Sequence, residues 1–170
     1  MATSTNSHAS RARVIGVNGN IVRIETTGGA IMKNEVAYVC VGEERLKSEV
    51  LRVYGNIADL QVFEETGGVA IGQSVDLSGE MLSVTLGPGM LGVIFDGLQN
   101  PLSELAEQDG FFLKRGRDIA PLDEARLWEF KPSRSVGDRI QAGSVLGTVP
   151  ELTIRHQIMA PFDLMTPFEL

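Results

Sequence analysis

The sequence predicts a mainly β protein with a small closed N-terminal β-barrel, a short helical connector and a second β-sandwich or barrel-sandwich-like unit. Glycine is frequent, with 19 in 170 residues, and it separates short runs rich in Val and Ile, which is typical of strands joined by tight turns. The apolar spacing becomes helical only after Gly87 and returns to β-type runs after Gly110. We therefore expect four segments, which are a disordered tail at residues 1–11, the barrel at 12–80, the connector at 81–112 and the second, hammerhead-like β-domain at 113–170.

The first strands of the predicted barrel form a hairpin. Residues 13–17 and 21–25 are rich in β-branched side chains and flank Asn18-Gly19-Asn20, where an Asn-Gly pair tolerates the positive φ angles of a tight turn. The near-continuous apolar run at 36–41 predicts a strand that is covered on both faces or lies in a tight barrel.

The later strands of the barrel alternate less regularly. In the segment 56–64, Ile57, Leu60 and Val62 face inward, together with the loop residue Val69, only if a bulge shifts the register after Ala58. The last strands come from Val75, Leu77 and residues 82–86. About six short strands with no amphipathic helix between them predict a small closed barrel.

The connector carries helical spacing. The apolar positions that produce it are Met90, Leu91, Val93, Ile94, Phe95 and Leu98. This first helix must be short because Gly97 weakens it and Pro101 ends it. A second short helix follows at 102–108 and stops at Asp109-Gly110.

Two kinds of connector residue have expected structural roles. Phe95 and Leu91 are expected to anchor the first helix in an apolar seam. Gly87, Gly89 and Gly97 are expected to hold backbone geometries or close contacts that a Cβ atom would disturb.

The second β unit has its own signature at residues 136–149, with the form V-G-D-x-[IV]-x-A-G-x-x-[LI]-G-x-V. Each glycine step predicts a sharp turn between short apolar pairs, and the block resembles the hammerhead turn of biotinyl/lipoyl-like domains. A carrier function is not expected, because the candidate hairpin 156–159 has no lysine for cofactor attachment and none follows Lys131.

Composition excludes several kinds of function. The net charge of −7 disfavours a nucleic-acid partner, and the short run Lys114-Arg115-Gly116-Arg117 is more typical of a solvated loop. Cys40 is the only cysteine, so an intramolecular disulfide is impossible, and its apolar surroundings predict a buried structural thiol. Only His8 and His156 are histidines, so no metal site is expected. Neither a signal peptide nor a membrane-spanning stretch is expected.

Three patterns suggest catalysis or binding, and each has a simpler explanation. Residues 87–92 match the dinucleotide-binding motif G-x-G-x-x-G, and Asp109 lies about 20 residues further on, where that motif has an acidic residue. However, Pro88 has no backbone N–H to donate to a phosphate, and no βαβ unit surrounds the motif. The carboxylates Asp59, Glu64 and Glu65 fit solvated edge charges better than an acid/base pair, because neighbouring strand residues point to opposite faces. His156 has no nucleophile elbow to serve.

The most specific blocks of the chain are residues 14–22, 61–68, 86–102 and 156–161, together with the segment around 111–116 and the aromatic pair Trp128 and Phe130. In this order they resemble the N-terminal portion of the catalytic, A-type subunit of vacuolar/archaeal-type (V/A-type) rotary ATPases, in the form that bacteria carry. The resemblance covers about residues 13–161. Beyond Ala160-Pro161 the family continues the second unit, so the bulge domain is expected to be incomplete or closed differently here.

The resemblance implies a barrel that forms part of a hexameric crown with the related B-type subunits, and an inserted bulge that contacts the peripheral stalk. The parent protein is an enzyme that hydrolyses or synthesises ATP, with ATP and Mg²⁺ as its ligands, in a complex on the cytoplasmic face of the membrane. The phosphate-binding motif G-x-x-x-x-G-K-[ST] is absent, so this segment is expected to be inactive, with no catalytic, cofactor-binding or metal residues. A free-standing barrel-plus-sandwich adaptor without catalysis is the alternative.

Overall fold

The computed structural model describes residues 11–26, 28–110, 112, 114–164 and 168–169. The expected tail at 1–11 lies outside the described residues except for Arg11, which begins the first strand. The chain forms two compact units. One contains Met1–Val84 with Asp109–Asp118, and the other contains Thr85–Gln108 with Ile119–Leu170. The predicted segment boundaries stay predictions, and the sequence patterns had not indicated that Asp109–Asp118 would group with the barrel.

The first unit is a closed six-stranded barrel, which confirms the predicted fold. Its strands are β1 (Arg11–Asn18), β2 (Ile21–Thr26), β3 (Glu35–Val41), β4 (Glu44–Tyr54), β5 (Ile57–Val62) and β6 (Ser74–Met81). They pair antiparallel in the order β1-β2-β5-β4-β3-β6, and β6 closes onto β1. Among the described residues, thirteen buried apolar side chains form one core in the barrel interior, including Ile24, Leu46 and Leu60.

The hairpin between β1 and β2 turns where its sequence predicts. Asn18 pairs with Ile21, so Gly19 and Asn20 are the two turn residues, and Gly19 has the positive φ of 60° that this turn needs.

Two details of the predicted barrel were wrong. β5 runs without a bulge, so Ala58, Leu60 and Val62 are buried, and the irregularity lies in its partner β4 between Val50 and Arg52. The extra residue in β4 changes the pairing register between β4 and β5 and leaves the inward and outward alternation of β5 unchanged. Residues 82–86 form no strand, because the pairing of β6 ends at Met81.

The connector contains one helix rather than two. The helix α1 (Leu102–Asp109) confirms the second prediction. The first predicted helix is absent, and residues 90–98 form turns instead. Asp96 explains part of this difference, because its carboxylate accepts hydrogen bonds from the backbone N–H groups of Leu98 and Asn100 at 2.8 Å each. Such local bonds compete with helical ones.

The connector glycines differ in their roles. Gly89 has a φ of 109°, and a Cβ atom at Gly87 would lie 3.0 Å from Leu122 Cδ1, so both restrict substitution as expected. Gly97 has neither feature, so its expected role was wrong. The expected apolar seam was also wrong, because Leu91 is 46% exposed and Phe95 is only half-buried.

The second unit is built on short strands, which are β7 (Lys131–Pro132), β8 (Arg139–Ile140), β9 (Val145–Glu151), β10 (Ile154–Met159) and β11 (Phe168–Glu169). β10, β9 and β7 form one antiparallel sheet, and β11 pairs with β8. Turns at Gly137 and Gly143, both with positive φ, confirm two corners of the hammerhead-like block. Gly147 lies within β9, so the turn expected there was wrong. Among the described residues, no helix is long and apolar enough to cross a membrane.

Candidate functional site

The buried carboxylate of Glu151 organises the most distinctive site of the second unit. Glu151 is the last residue of β9 and is only 2% exposed. Its Oε1 atom accepts hydrogen bonds from the backbone N–H of Gly89 at 2.6 Å and from that of Leu91 at 3.1 Å. Its Oε2 atom lies 2.6 Å from Nδ1 of His156 on β10. We call these four residues the Glu151 cluster.

Local backbone geometry brings the two sides of the cluster together. β9 and β10 form a hairpin in which Glu151 pairs with Ile154, and the connecting residue Leu152 has a φ of 50°. The positive φ of Gly89 turns the connector so that the N–H groups of Gly89 and Leu91 converge on one oxygen atom. Successive N–H groups that converge in this way form a concavity for an anion.

The surroundings of Glu151 favour its charged form. Burial is the largest single influence and by itself raises the carboxyl pKa, but the hydrogen bonds from Gly89, Leu91 and His156 together outweigh it, so the pKa lies below its usual value. The carboxylate is therefore ionised at neutral pH and supplies the negative charge that the loop N–H groups face.

This geometry rejects the dinucleotide-binding interpretation of G-x-G-x-x-G. A pyrophosphate would need the same backbone donors, and the N–H groups of Gly89 and Leu91 already bind Glu151. Asp109, which matched the spacing of the ribose-binding acid, lies in the other unit and pairs with Arg117 there. The glycine-rich loop is a structural element whose backbone N–H groups bind a carboxylate of the protein itself, that of Glu151.

Sequence reasoning had missed Glu151 and had considered His156 only as a base without a nucleophile. No local pattern identifies Glu151, because its backbone partners lie 60 and 62 residues away in the chain. The positions considered for lysine attachment, 156–159, lie within β10 and not at the tip of the hairpin.

A second cluster holds Asp109–Asp118 within the barrel unit, and we call this segment the strap. Arg115 Nε donates to Glu44 Oε2 at 2.7 Å, and its guanidinium also donates to the carbonyl oxygens of Glu65 and Gly67. The backbone N–H of Gly116 donates to Glu64 Oε1 at 2.8 Å.

Ion pairs in the barrel unit correct two sequence interpretations. The charged run at 114–117 is not a solvated loop, since Arg115 binds Glu44 and Arg117 binds the fully buried carboxylate of Asp109. Asp59 is not a solvated edge charge either, because it is 8% exposed and accepts two hydrogen bonds from Arg23. The hydrogen bond from Arg23 lowers the pKa of the Asp59 carboxyl group, and the hydrogen bond from Arg117 lowers that of Asp109.

Other candidate chemistry is weak in the described part of the chain. No group of three or more His, Cys, Asp or Glu residues is placed to hold a metal ion there. Cys40 is half-buried rather than fully buried, and its Sγ atom lies 3.8 Å from Asp76 Oδ2. The arrangements around Glu151 and Arg115 stabilise loops, and neither places a nucleophile beside a base.

Comparison with known proteins identifies homologues of the chain. A family model for the barrel-sandwich domain of the ATP synthase alpha/beta subunits matches residues 119–167. A V-type ATP synthase alpha chain from Treponema denticola is 48% identical over 160 residues, which are 94% of this chain and 27% of the relative. The corresponding protein from Borreliella afzelii is 51% identical over 152 residues, 89% of this chain and 26% of the relative. Over about nine tenths of its length, the chain is homologous to V-type ATP synthase alpha chains.

This result confirms the resemblance inferred from the sequence and does not favour the free-standing adaptor. The chain spans about a quarter of the length of these V-type ATP synthase alpha chains, 27% and 26% in the two cases. Residues 119–167, which the family model matches, lie in the second unit and include β7 to β10 and the Glu151 hairpin.

Proposed function

We propose that this chain is the N-terminal segment of the catalytic subunit of a V-type ATP synthase and that it takes part in ATP-driven or ATP-forming ion transport. The observation that carries the proposal is the identity of 48–51% to V-type ATP synthase alpha chains across 89–94% of the chain. The closed barrel and the barrel-sandwich match agree with it.

Within the complex, the segment serves assembly rather than chemistry. The barrel has a continuous buried core and, being closed, no open sheet edge, so it suits a rigid ring component. The second unit exposes large apolar side chains, with Leu127 95%, Val136 94% and Leu152 77% exposed, and we infer that other components of the complex cover some of them. Its partners are the B-type subunits, other components of the rotary complex and the peripheral stalk.

The parent protein supplies ATP hydrolysis or synthesis and holds ATP and Mg²⁺ in a later part of its chain. No lysine of this segment follows a glycine, so the sequence lacks the G-K pair of a phosphate-binding loop. The complex holds the segment at the cytoplasmic face of the membrane, without membrane insertion of the segment itself and without a nucleic-acid partner.

A chimeric protein tests this proposal. In the Treponema denticola alpha chain, the homologous segment is replaced by residues 11–164 of this chain, and the chimera is expressed with its partner subunits. We expect a complex that contains the B-type subunits on a native gel and hydrolyses ATP. A chimera that folds but stays outside the complex contradicts the proposal and supports a separate adaptor.

A matched chimera with Leu60→Asp controls for the role of the barrel. Leu60 is fully buried, so an unpaired charge there disrupts the barrel core. We expect this chimera to be excluded from the complex, whereas Glu124→Ala, at an exposed polar position of the second unit, leaves the interaction with the B-type subunits unchanged.

A further inference from the structure

The turn between β1 and β2 carries a reactive dipeptide that has no part in the function proposed above. Asn18 is the last residue of β1, and Gly19 follows it in the turn. Asn18 is the only asparagine of the sequence that precedes a glycine. Asn18, Gly19 and Asn20 are all exposed, so water reaches the dipeptide in the folded chain.

An asparagine before a glycine can lose its side-chain amide without an enzyme. The backbone nitrogen of Gly19 gives its proton to hydroxide and forms a new bond to Cγ of Asn18. The bond from Cγ to the side-chain nitrogen then breaks, and this nitrogen takes a proton from water and leaves as ammonia. The remaining ring is a succinimide. Water opens it at either carbonyl carbon, placing OH on the carbon and hydrogen on the nitrogen, and the product is Asp or isoaspartate.

The structure leaves the attacking nitrogen accessible. A Cβ atom built on Gly19 would meet no heavy atom within 4 Å beyond its chain neighbours, so open space surrounds this residue. Among the described residues, no acceptor binds the N–H of Gly19. Ring closure rotates the main chain at Asn18 and therefore opens its pairing with Ile21, which is the terminal pair of the hairpin. Openings at the ends of elements cost the least free energy.

The other described asparagines are less suited to this reaction. Asn20 and Asn56 each precede an isoleucine, whose branched side chain hinders attack by its own backbone nitrogen. Asn34 precedes Glu35, which is only 2% exposed. Asn100 precedes a proline, which has no N–H. The reaction is therefore expected first at Asn18.

We propose that Asn18 deamidates in the folded chain and that the isoaspartate product detaches the tip of this hairpin from β5 and the loop after it. Two hydrogen bonds hold the tip. Thr66 Oγ1 donates to the carbonyl oxygen of Gly19 at 2.6 Å, and the N–H of Val62 donates to that of Asn20 at 2.9 Å. Isoaspartate carries the main chain through its Cβ and Cγ atoms, which adds one methylene group before the turn. A two-residue turn fits one strand register, so the longer main chain moves both acceptors away from their donors.

Tandem mass spectrometry of the full chain, incubated in mildly alkaline buffer and then digested with trypsin, tests the site. Trypsin cuts after Arg13 and Arg23, so Asn18 and Asn20 lie in one peptide and are compared directly. We expect the amide of Asn18 to be lost about tenfold faster than that of Asn20, a difference of about 1.4 kcal/mol in activation free energy. The rate should rise with pH, because the attacking nitrogen must lose its proton.

Two glycine variants separate the dipeptide from the rest of the fold. Gly19→Asn keeps a residue that tolerates positive φ but hinders the nitrogen, so Asn18 should react about tenfold more slowly while the circular dichroism spectrum keeps its β signal. Gly55→Asn, at a φ of 64° in the turn between β4 and β5, is the matched control and should leave the rate at Asn18 unchanged. The proposed site is wrong if Asn18 and Asn20 react equally fast, if the two variants have the same rate, or if Asn18 reacts only in urea.

Hydrogen exchange tests the structural consequence. In the isoaspartate form, purified by ion-exchange chromatography, the N–H of Val62 should exchange about tenfold faster than in the intact chain, because its acceptor has moved. The amides of β3, which does not pair with this hairpin, should keep their rates. Asn18→Asp has the same added charge with a normal main chain and should exchange like the intact chain. Equal exchange at Val62 in Asn18→Asp and in the isoaspartate form overturns the proposed detachment.

Discussion

Replacing Glu151 by Ala should destabilise the second unit more than any other single loss of a carboxylate in it. The carboxylate is 2% exposed and accepts hydrogen bonds from Gly89 and Leu91, in addition to its contact with His156. Without it, two backbone N–H groups lose their acceptor, at about 1–3 kcal/mol each, and the histidine loses its partner. The expected cost is about 3–5 kcal/mol of unfolding free energy, in the range for breaking a buried pair.

Glu151→Gln separates the charge of this side chain from its shape. The amide oxygen of Gln can accept from Gly89 and Leu91, and its NH₂ group can donate to Nδ1 of a neutral His156. The cost at neutral pH should therefore be about 1–2 kcal/mol, since only the charge assistance is lost.

The two variants should also differ in their response to acid. Because the folded-state pKa of Glu151 is lowered, its contribution to stability is present above the unfolded pKa of about 4.3 and is lost as pH falls through the folded pKa. The wild-type chain should lose this contribution below about pH 4.3, whereas Glu151→Gln has no such group to protonate.

Urea unfolding followed by tryptophan fluorescence measures these differences. Trp128 is the only tryptophan and its ring lies beside Gly89, so it reports on the Glu151 cluster directly. Glu124→Ala, at an exposed position of the same unit, is the matched control. The reasoning is refuted if Glu151→Ala and Glu124→Ala have the same midpoint, or if Glu151→Gln is as damaging as Glu151→Ala.

Three further predictions concern other parts of the chain. Arg115→Ala should release the strap, because the Arg115 side chain binds Glu44 and two carbonyl oxygens. Trypsin should then cleave this variant after Lys114 faster than it cleaves an Arg155→Ala control variant. Phe95→Ala should cost about 1–2 kcal/mol in a denaturation experiment, and not the 3–5 kcal/mol of a fully buried aromatic, because Phe95 is half-buried. The chain should show no saturable Mg²⁺-dependent ATP binding in the micromolar range by calorimetry, since it lacks a phosphate-binding loop.

The barrel could be predicted because its determinants are local. The turn at Gly19 and the apolar runs of β2 and β3 each indicate a strand or hairpin within fewer than ten residues. The bulge was placed in the wrong strand because register depends on the partner. The residues of β5 alone do not show that the extra residue lies in β4, between Val50 and Arg52.

The connector and the Glu151 cluster could not be predicted in the same way. The apolar spacing at 90–98 suits a helix, but Asp96 binds the N–H groups of Leu98 and Asn100, and Glu151 binds the loop from 60 residues away. Asp96 lies within four residues of the N–H groups that it binds, so it could have been recognised as a turn-forming residue. The hydrogen bonds of Glu151 depend on tertiary structure, so the sequence spacing does not indicate them.

Buried acidic side chains, at Glu35 and Glu151, accept hydrogen bonds from backbone N–H groups at two irregular points of this chain. In the barrel unit, Glu35 is 2% exposed and accepts hydrogen bonds from the backbone N–H groups of Met32 and Gly79, at 3.0 and 2.7 Å. Glu151 does the same for Gly89 and Leu91 in the other unit. Buried backbone donors that are not paired within a helix or a sheet need other acceptors. Part of the acidic composition therefore satisfies the backbone inside the protein, and the net charge of −7 does not by itself measure how acidic the outer surface is.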